Sequence, residues 1–161
     1  MEFSKFLNSS VKLNIILLIS FSISVNSFIL FPNINNVFYI LFHLTFIYFL
    51  FYHYHYSIYF LGLIYGIMLD IFLINEIGSH LLVLIFLISI FILFKKYLFL
   101  LNSNQITIII FVTLIVTIFL IGILAYLLNN INFSFQMMLN YSIISLIIFI
   151  PSIFFFNNLD K

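Results

Sequence analysis

Cysteine, tryptophan and arginine are all missing from these 161 residues, and Asp, Glu and Lys together make up only 6%. Without cysteine there is neither a disulfide framework nor a thiolate metal site. With a net charge of +1 and no basic cluster beyond one Lys pair, nucleic acid is not an expected partner. The scarcity of charge also excludes a soluble domain. Ordinary globular chains are about 25% charged, whereas 66% of this one is hydrophobic, so its solvent is expected to be lipid. The 24 Phe and 10 Tyr residues fit AT-rich codons as well as any function and are not read as a site.

The few charges are Glu2, Lys5, Lys12, Asp70, Glu76, Lys95, Lys96, Asp160 and Lys161, which leaves residues 13–69 and 97–159 free of formal charge. A helix crosses a bilayer in about 20 apolar residues, so each tract holds two to three spans. Polar punctuation divides the chain into six, at about 13–31, 37–51, 57–74, 79–94, 106–128 and 137–156. The breaks are Phe31-Pro32-Asn33-Ile34-Asn35-Asn36, the Tyr/His stretch 52–56, Asn75-Glu76-Ile77-Gly78, Lys95-Lys96 with Asn102-Ser103-Asn104, and Asn129-Asn130-Ile131-Asn132. The expected fold is all-α, a single polytopic domain of six transmembrane helices with no room for a soluble catalytic domain.

Lysine placement orients the spans, because cytoplasmic flanks carry excess Lys and Arg. With six spans, Lys5, Lys12, Lys95, Lys96 and Lys161 all fall on one side, so both termini are expected in the cytoplasm. A cleaved signal peptide is the competing reading of the first apolar run. That run is about 19 residues against the 7–15 of a signal-peptide core, and cleavage would scatter the lysines. No fixed-period repeat is evident, so an inverted-repeat transporter is not supported.

Chemistry concentrates in the third span. Gly62, Gly66 and Asp70 recur at i, i+4 and i+8 and therefore share one helix face. Glycines four apart let a second backbone approach closely, which is how helices associate in lipid. Asp70 is the only charge inside an expected span, so it should face protein or a wet cavity and be paired or protonated. His43, Glu76 and His80 lie at similar depth, and His43 is a candidate polar partner of Asp70. Two readings stay open: a proton or cation relay or partner-reading site, and a structural acid bonded to a His or to backbone. If the acid is structural and held neutral, asparagine should replace it almost silently and leucine should not.

His53 and His55 are too few and wrongly spaced for a helical zinc site, and an interfacial Tyr/His belt is the better account. Ser22, Ser24, Asn26, Thr113, Thr117, Ser142 and Ser145 are expected to bond neighbouring helices or their own backbone. Pro151 is expected to kink the last span. No nucleophile motif, phosphate loop or paired carboxylate points to an enzyme, and no cofactor or metal is expected.

The stretch Gly62-Leu63-x-x-Gly66-x-x-x-Asp70, followed by Gly78-Ser79-His80 opening an apolar helix, resembles the rod shape-determining MreD family. The likeness extends to chain length, six spans, the polar break with Pro32 and a proline, Pro151, in the last span. It implies a non-enzymatic inner-membrane subunit of the bacterial cell-elongation complex. The implied partners are an MreC-like bitopic protein and, through it, an MreB-like filament, a RodA-type glycosyltransferase and a class B penicillin-binding transpeptidase, so that lateral peptidoglycan synthesis depends on the assembly. Gly62, Gly66, Asp70, Gly78 and His80 become its helix-packing or partner-binding residues. The family's fold is similar to the substrate-binding subunits of energy-coupling-factor vitamin transporters, which supplies the alternative: a small-molecule-binding transport subunit. Such subunits carry an Ala-x-x-x-Ala type motif in the first span, and here that span has no alanine.

Overall fold

The computed structural model describes residues 2–26, 32–76, 78–98, 100–130 and 135–159. The end of the expected first span (27–31), residues 131–132 of the last outer turn, and Asp160 and Lys161 lie outside the described residues. Six helices follow one another: α1 Glu2–Val25, α2 Pro32–Tyr52, α3 Ser57–Leu69, α4 Ser79–Leu98, α5 Ser103–Asn129 and α6 Phe135–Leu159. A π-helical turn, Asp70–Ile74, extends α3. There is no strand among the described residues. A chain this apolar satisfies its backbone N–H and C=O groups within each segment, because lipid offers them no partner.

Five of these helices are long and apolar enough to cross a membrane: Asn33–Tyr52, Ser57–Ile74, Ser79–Leu98, Ser103–Leu128 and Gln136–Leu159. The chain is thus a multi-pass helical membrane protein. In α1 the apolar part, Ser9–Val25, is shorter.

Several polar stretches that read as breaks are helical. Pro32-Asn33-Ile34-Asn35-Asn36 forms the first turns of α2 and not an outer turn. Proline suits the first turn of a helix, where its missing N–H would be unbonded in any case. Lys95 and Lys96 lie in the last turn of α4, where cations complement the helix dipole. Asn157, Asn158 and Leu159 continue α6, which also runs on through Pro151.

The core is built around α2. Every residue from Phe42 to Leu50 is buried, because α1, α4, α5 and α6 all pack against this helix. α3 packs chiefly on α4. The outward faces remain apolar: Phe60, Ile147, Ile150 and Phe154 are 65%, 69%, 74% and 70% exposed. In water such a surface would aggregate; in a bilayer it meets acyl chains.

Small polar side chains within the helices turn back on their own backbone. Ser22, Ser24 and Asn26 donate to the carbonyls of Leu18, Phe21 and Ser22, each at 2.8 Å. Thr117, Ser142 and Ser145 donate to Thr113, Met138 and Tyr141. For these six the own-backbone option wins over bonds between helices, since the i−3 or i−4 carbonyl is already within reach.

Candidate functional site

Helix α4 starts with a deficit. Its first intrahelical bond runs from the Leu82 N–H to the Gly78 carbonyl at 2.9 Å, so Gly78 occupies the N-cap position. Glycine has no side chain with which to accept the unpaired N–H groups of the first turn. Asp70, at the end of α3, supplies the missing acceptor from a different helix. Its Oδ2 accepts from the N–H groups of Gly78 (2.8 Å) and Leu81 (3.1 Å). Its Oδ1 accepts from the His80 N–H (2.8 Å), the Ser79 hydroxyl (3.1 Å) and His80 Nδ1 (2.8 Å).

Asp70 is 0% exposed and its hydrogen-bond partner His80 only 3%. A carboxylate this deep is tolerable only when paired and hydrogen-bonded. Here it also sits on the positive end of the α4 dipole, where helix termini favour anions. The turn that brings it there is irregular in two places: the π-helical widening at Asp70–Ile74, and a left-handed Asn75 (φ 59°) followed by Gly78 at φ 156°. At that φ a side chain is strained, which makes Gly78 a backbone requirement.

Because His80 Nδ1–H donates to the carboxylate, Nε2 is left as an acceptor and takes the Tyr39 hydroxyl of α2 at 2.9 Å. Asp70, His80 and Tyr39 therefore form a continuous row tying α3, α4 and α2 together. His43 stands one step away. Its Nδ1–H donates to the Tyr39 carbonyl at 2.8 Å, and its buried Nε2 has no hydrogen-bond partner. The candidate pairing of Asp70 with His43 is thus replaced by Asp70 with His80. The physical reason is that the i−4 carbonyl on its own helix already captures the one N–H of a neutral His43 ring. Glu76 lies exposed in the turn. Tyr141 of α6 joins the same end of the bundle, its ring 5.6 Å from that of Tyr39 and its hydroxyl donating to Asn36 at 3.4 Å.

The glycine stripe faces α4. A methyl group at Gly66 would lie 2.7 Å from the Leu81 Cα, a backbone atom. At Gly62 it would lie 2.7 Å from the tip of Ile88 and 3.4 Å from Phe46. Close approach at Gly66 is what carries the Leu81 N–H to Asp70, so stripe and carboxylate act as one joint.

His53 and His55 do not come together as ligands. His53 is buried, with Ser9 and Ser10 of α1 at 3.4 and 3.3 Å from its ring nitrogens. It ties α1 to the end of α2, and only His55 keeps the exposed interfacial position expected of both. Among the described residues no three of His, Asp or Glu converge to hold a metal ion. Sequence reasoning passed over Tyr39 and Ser79. Ser79 stood inside the Gly78-Ser79-His80 motif, and Tyr39 lies four residues before His43 on the same helix face, a spacing that was available as a signal.

Comparison with models of known protein families, with curated proteins and with solved structures gives no match in any of the three.

Proposed function

We propose that this chain is a non-enzymatic scaffold subunit of the bacterial inner membrane with six spans, acting as members of the MreD family do in the cell-elongation complex. In this reading α1 is the sixth span. Its apolar part of 17 residues is at the short end of the range for a membrane helix. Even parity then keeps the lysines, and both termini, on the cytoplasmic side.

The observation that carries the scaffold reading is the saturation of Asp70. An ionised carboxylate offers about four lone-pair sites, and five donors from the start of α4 converge on this one. A relay or transport site would need an acceptor that can be vacated, and vacating this one would uncap α4. The residues that resemble the family's motif are also the residues that build the α3/α4 joint. A rigid joint near the outer ends of α2, α3 and α4 suits a protein that presents a fixed helical surface to an MreC-like partner, and through it to the filament and the peptidoglycan synthases.

The test is co-purification of the MreC-like protein from membranes containing wild-type chain or Gly66→Leu, together with cell shape. The expected result is a retained partner for the wild type and loss of both partner and rod shape for Gly66→Leu. Unchanged assembly in the variant, or a vitamin-sized molecule carried through purification of the wild type, would overturn the reading.

A further inference from the structure

Between α4 and α5 the outer surface opens into a groove of about 280 Å³. Phe86, Ile90 and Phe94 of α4 and Val112 and Val116 of α5 form its walls, and the buried Leu50 of α2 closes it from behind. Its lining runs along α4 from Val83 to Leu98, a length of about 22 Å at 1.5 Å per residue. Its length exceeds the roughly 15 Å of one leaflet, so a chain entering from one interface lies within it over its whole leaflet.

A cation stands beside one end of the groove. Lys95 follows Phe91 by one helical turn, and its ammonium stands 4.1 Å above the Tyr54 ring centroid. That ring is 5.5 Å from the ring of Phe91, itself part of the lining. The cation–π contact holds the charge beside the Phe91 wall of the groove. The N-terminus of α5 begins at the same end, capped by Asn102, whose N–H is bonded to the Gln105 side chain at 3.0 Å. An apolar slot ending at a cation is complementary to an amphiphile with an anionic head. We propose that the α4/α5 groove is a binding site for an anionic phospholipid, one acyl chain lying between Phe94 and Val116 and the phosphate resting against Lys95. The site is independent of the scaffold role and shares no residue with the Asp70 joint.

Native mass spectrometry of the full chain, purified from nanodiscs of equal phosphatidylglycerol and phosphatidylcholine, tests the site. Val116 is 48% exposed, so Val116→Phe fills the groove without entering the core, and thermal unfolding checks that the fold is kept. The expected results are a retained phosphatidylglycerol on the wild type, several-fold loss of all retained lipid in Val116→Phe, and about fivefold loss of the preference for phosphatidylglycerol in Lys95→Gln, the worth of one lysine near an anionic surface. Lys96, two positions beyond Phe94 and so about 200° round the helix, serves as control, and Lys96→Gln keeps the preference. Equal retention by wild type and Val116→Phe, equal effects of Lys95→Gln and Lys96→Gln, or photocrosslinking from position 112 to a protein helix and not to lipid, would each overturn the proposal.

Discussion

Replacing Asp70 by asparagine keeps the side chain's shape and removes one acceptor, which isolates what the carboxylate contributes. Both oxygens are in use: Oδ2 by the N–H groups of Gly78 and Leu81, Oδ1 by the His80 N–H, the Ser79 hydroxyl and His80 Nδ1. An amide presents one oxygen and one NH2, so on one side donors must meet donors. With NH2 in the place of Oδ2, two backbone N–H groups lose their acceptor and neither can turn away. With NH2 in the place of Oδ1, the Ser79 hydroxyl rotates to accept and His80 moves its proton from Nδ1 to Nε2, where the Tyr39 hydroxyl turns from donor to acceptor, so the His80 N–H is the one backbone donor orphaned. The second arrangement is the cheaper. One buried orphaned donor, together with the weakening of the remaining bonds once the charge is gone, amounts to about 2–4 kcal/mol. The near-silent Asp70→Asn expected of a neutral structural acid is therefore reversed by the geometry, because a structural acid that accepts on both oxygens is not replaced by an amide.

Reversible unfolding of the detergent-solubilised protein in mixed micelles reads the magnitude, and 15N spectra of the His80 ring read the tautomer. The expected order of stability is wild type, then Asp70→Asn, then Asp70→Ala, the last down by at least about 3–5 kcal/mol because the buried partner and all the capped N–H groups lose their acceptor. The His80 proton should pass from Nδ1 in the wild type to Nε2 in Asp70→Asn. Wild-type stability in Asp70→Asn, with the tautomer unchanged, would refute the five-donor account of Asp70.

Other substitutions separate the parts of the joint. Gly66→Ala meets the backbone of Leu81 and should cost about 1–3 kcal/mol by forcing α3 from α4. Gly62→Ala crowds the movable tip of Ile88 and makes an ordinary contact with Phe46, and should cost less than about 1 kcal/mol by the same unfolding measurement. Tyr39→Phe leaves the buried Nε2 of His80 without its donor and should lower stability by about 1 kcal/mol without changing the fold, as circular dichroism would verify. Gly78→Ala is strained at φ 156° and sets a methyl 3.1 Å from Leu128, a loss of about 1–3 kcal/mol. A reporter fused after Lys96 should lie in the cytoplasm, and an extracytoplasmic signal would overturn the six-span orientation.

How much of this was legible beforehand depended on the kind of signal. Helix positions followed from composition, since a chain with so few charges has lipid for solvent and lipid permits this chain only helices. The third span, read as 57–74, coincides with α3 and its π-helical end, Ser57–Ile74, because a Tyr/His stretch and an Asn-Glu pair interrupt the apolar run on either side. Where the interruption was itself compatible with helix, as at Pro32–Asn36 or Asn157–Leu159, the break was misplaced. Polar residues at a helix end are solvated by the headgroup region, so polarity marks the membrane boundary and not the end of the helix.

The face carrying Gly62, Gly66 and Asp70 was determined by sequence alone, since spacing and helical pitch leave no freedom in which residues align. What that face meets was decided only in three dimensions. In water an amphipathic stripe also points to the core, but these helices are apolar on every side, so periodicity carries no direction. Asp70 therefore found its partners through the path of the turn between α3 and α4: the Gly78 conformation and the close approach at Gly66 bring a helix start and a histidine ring onto one carboxylate. His43, equally plausible by depth, donates its one ring N–H to the carbonyl of Tyr39. The sequence by itself determined the solvent, the helices and the polar face; tertiary structure alone chose the acceptor's donors, because hydrogen bonds depend on ångström-scale position that hydrophobic patterning does not encode.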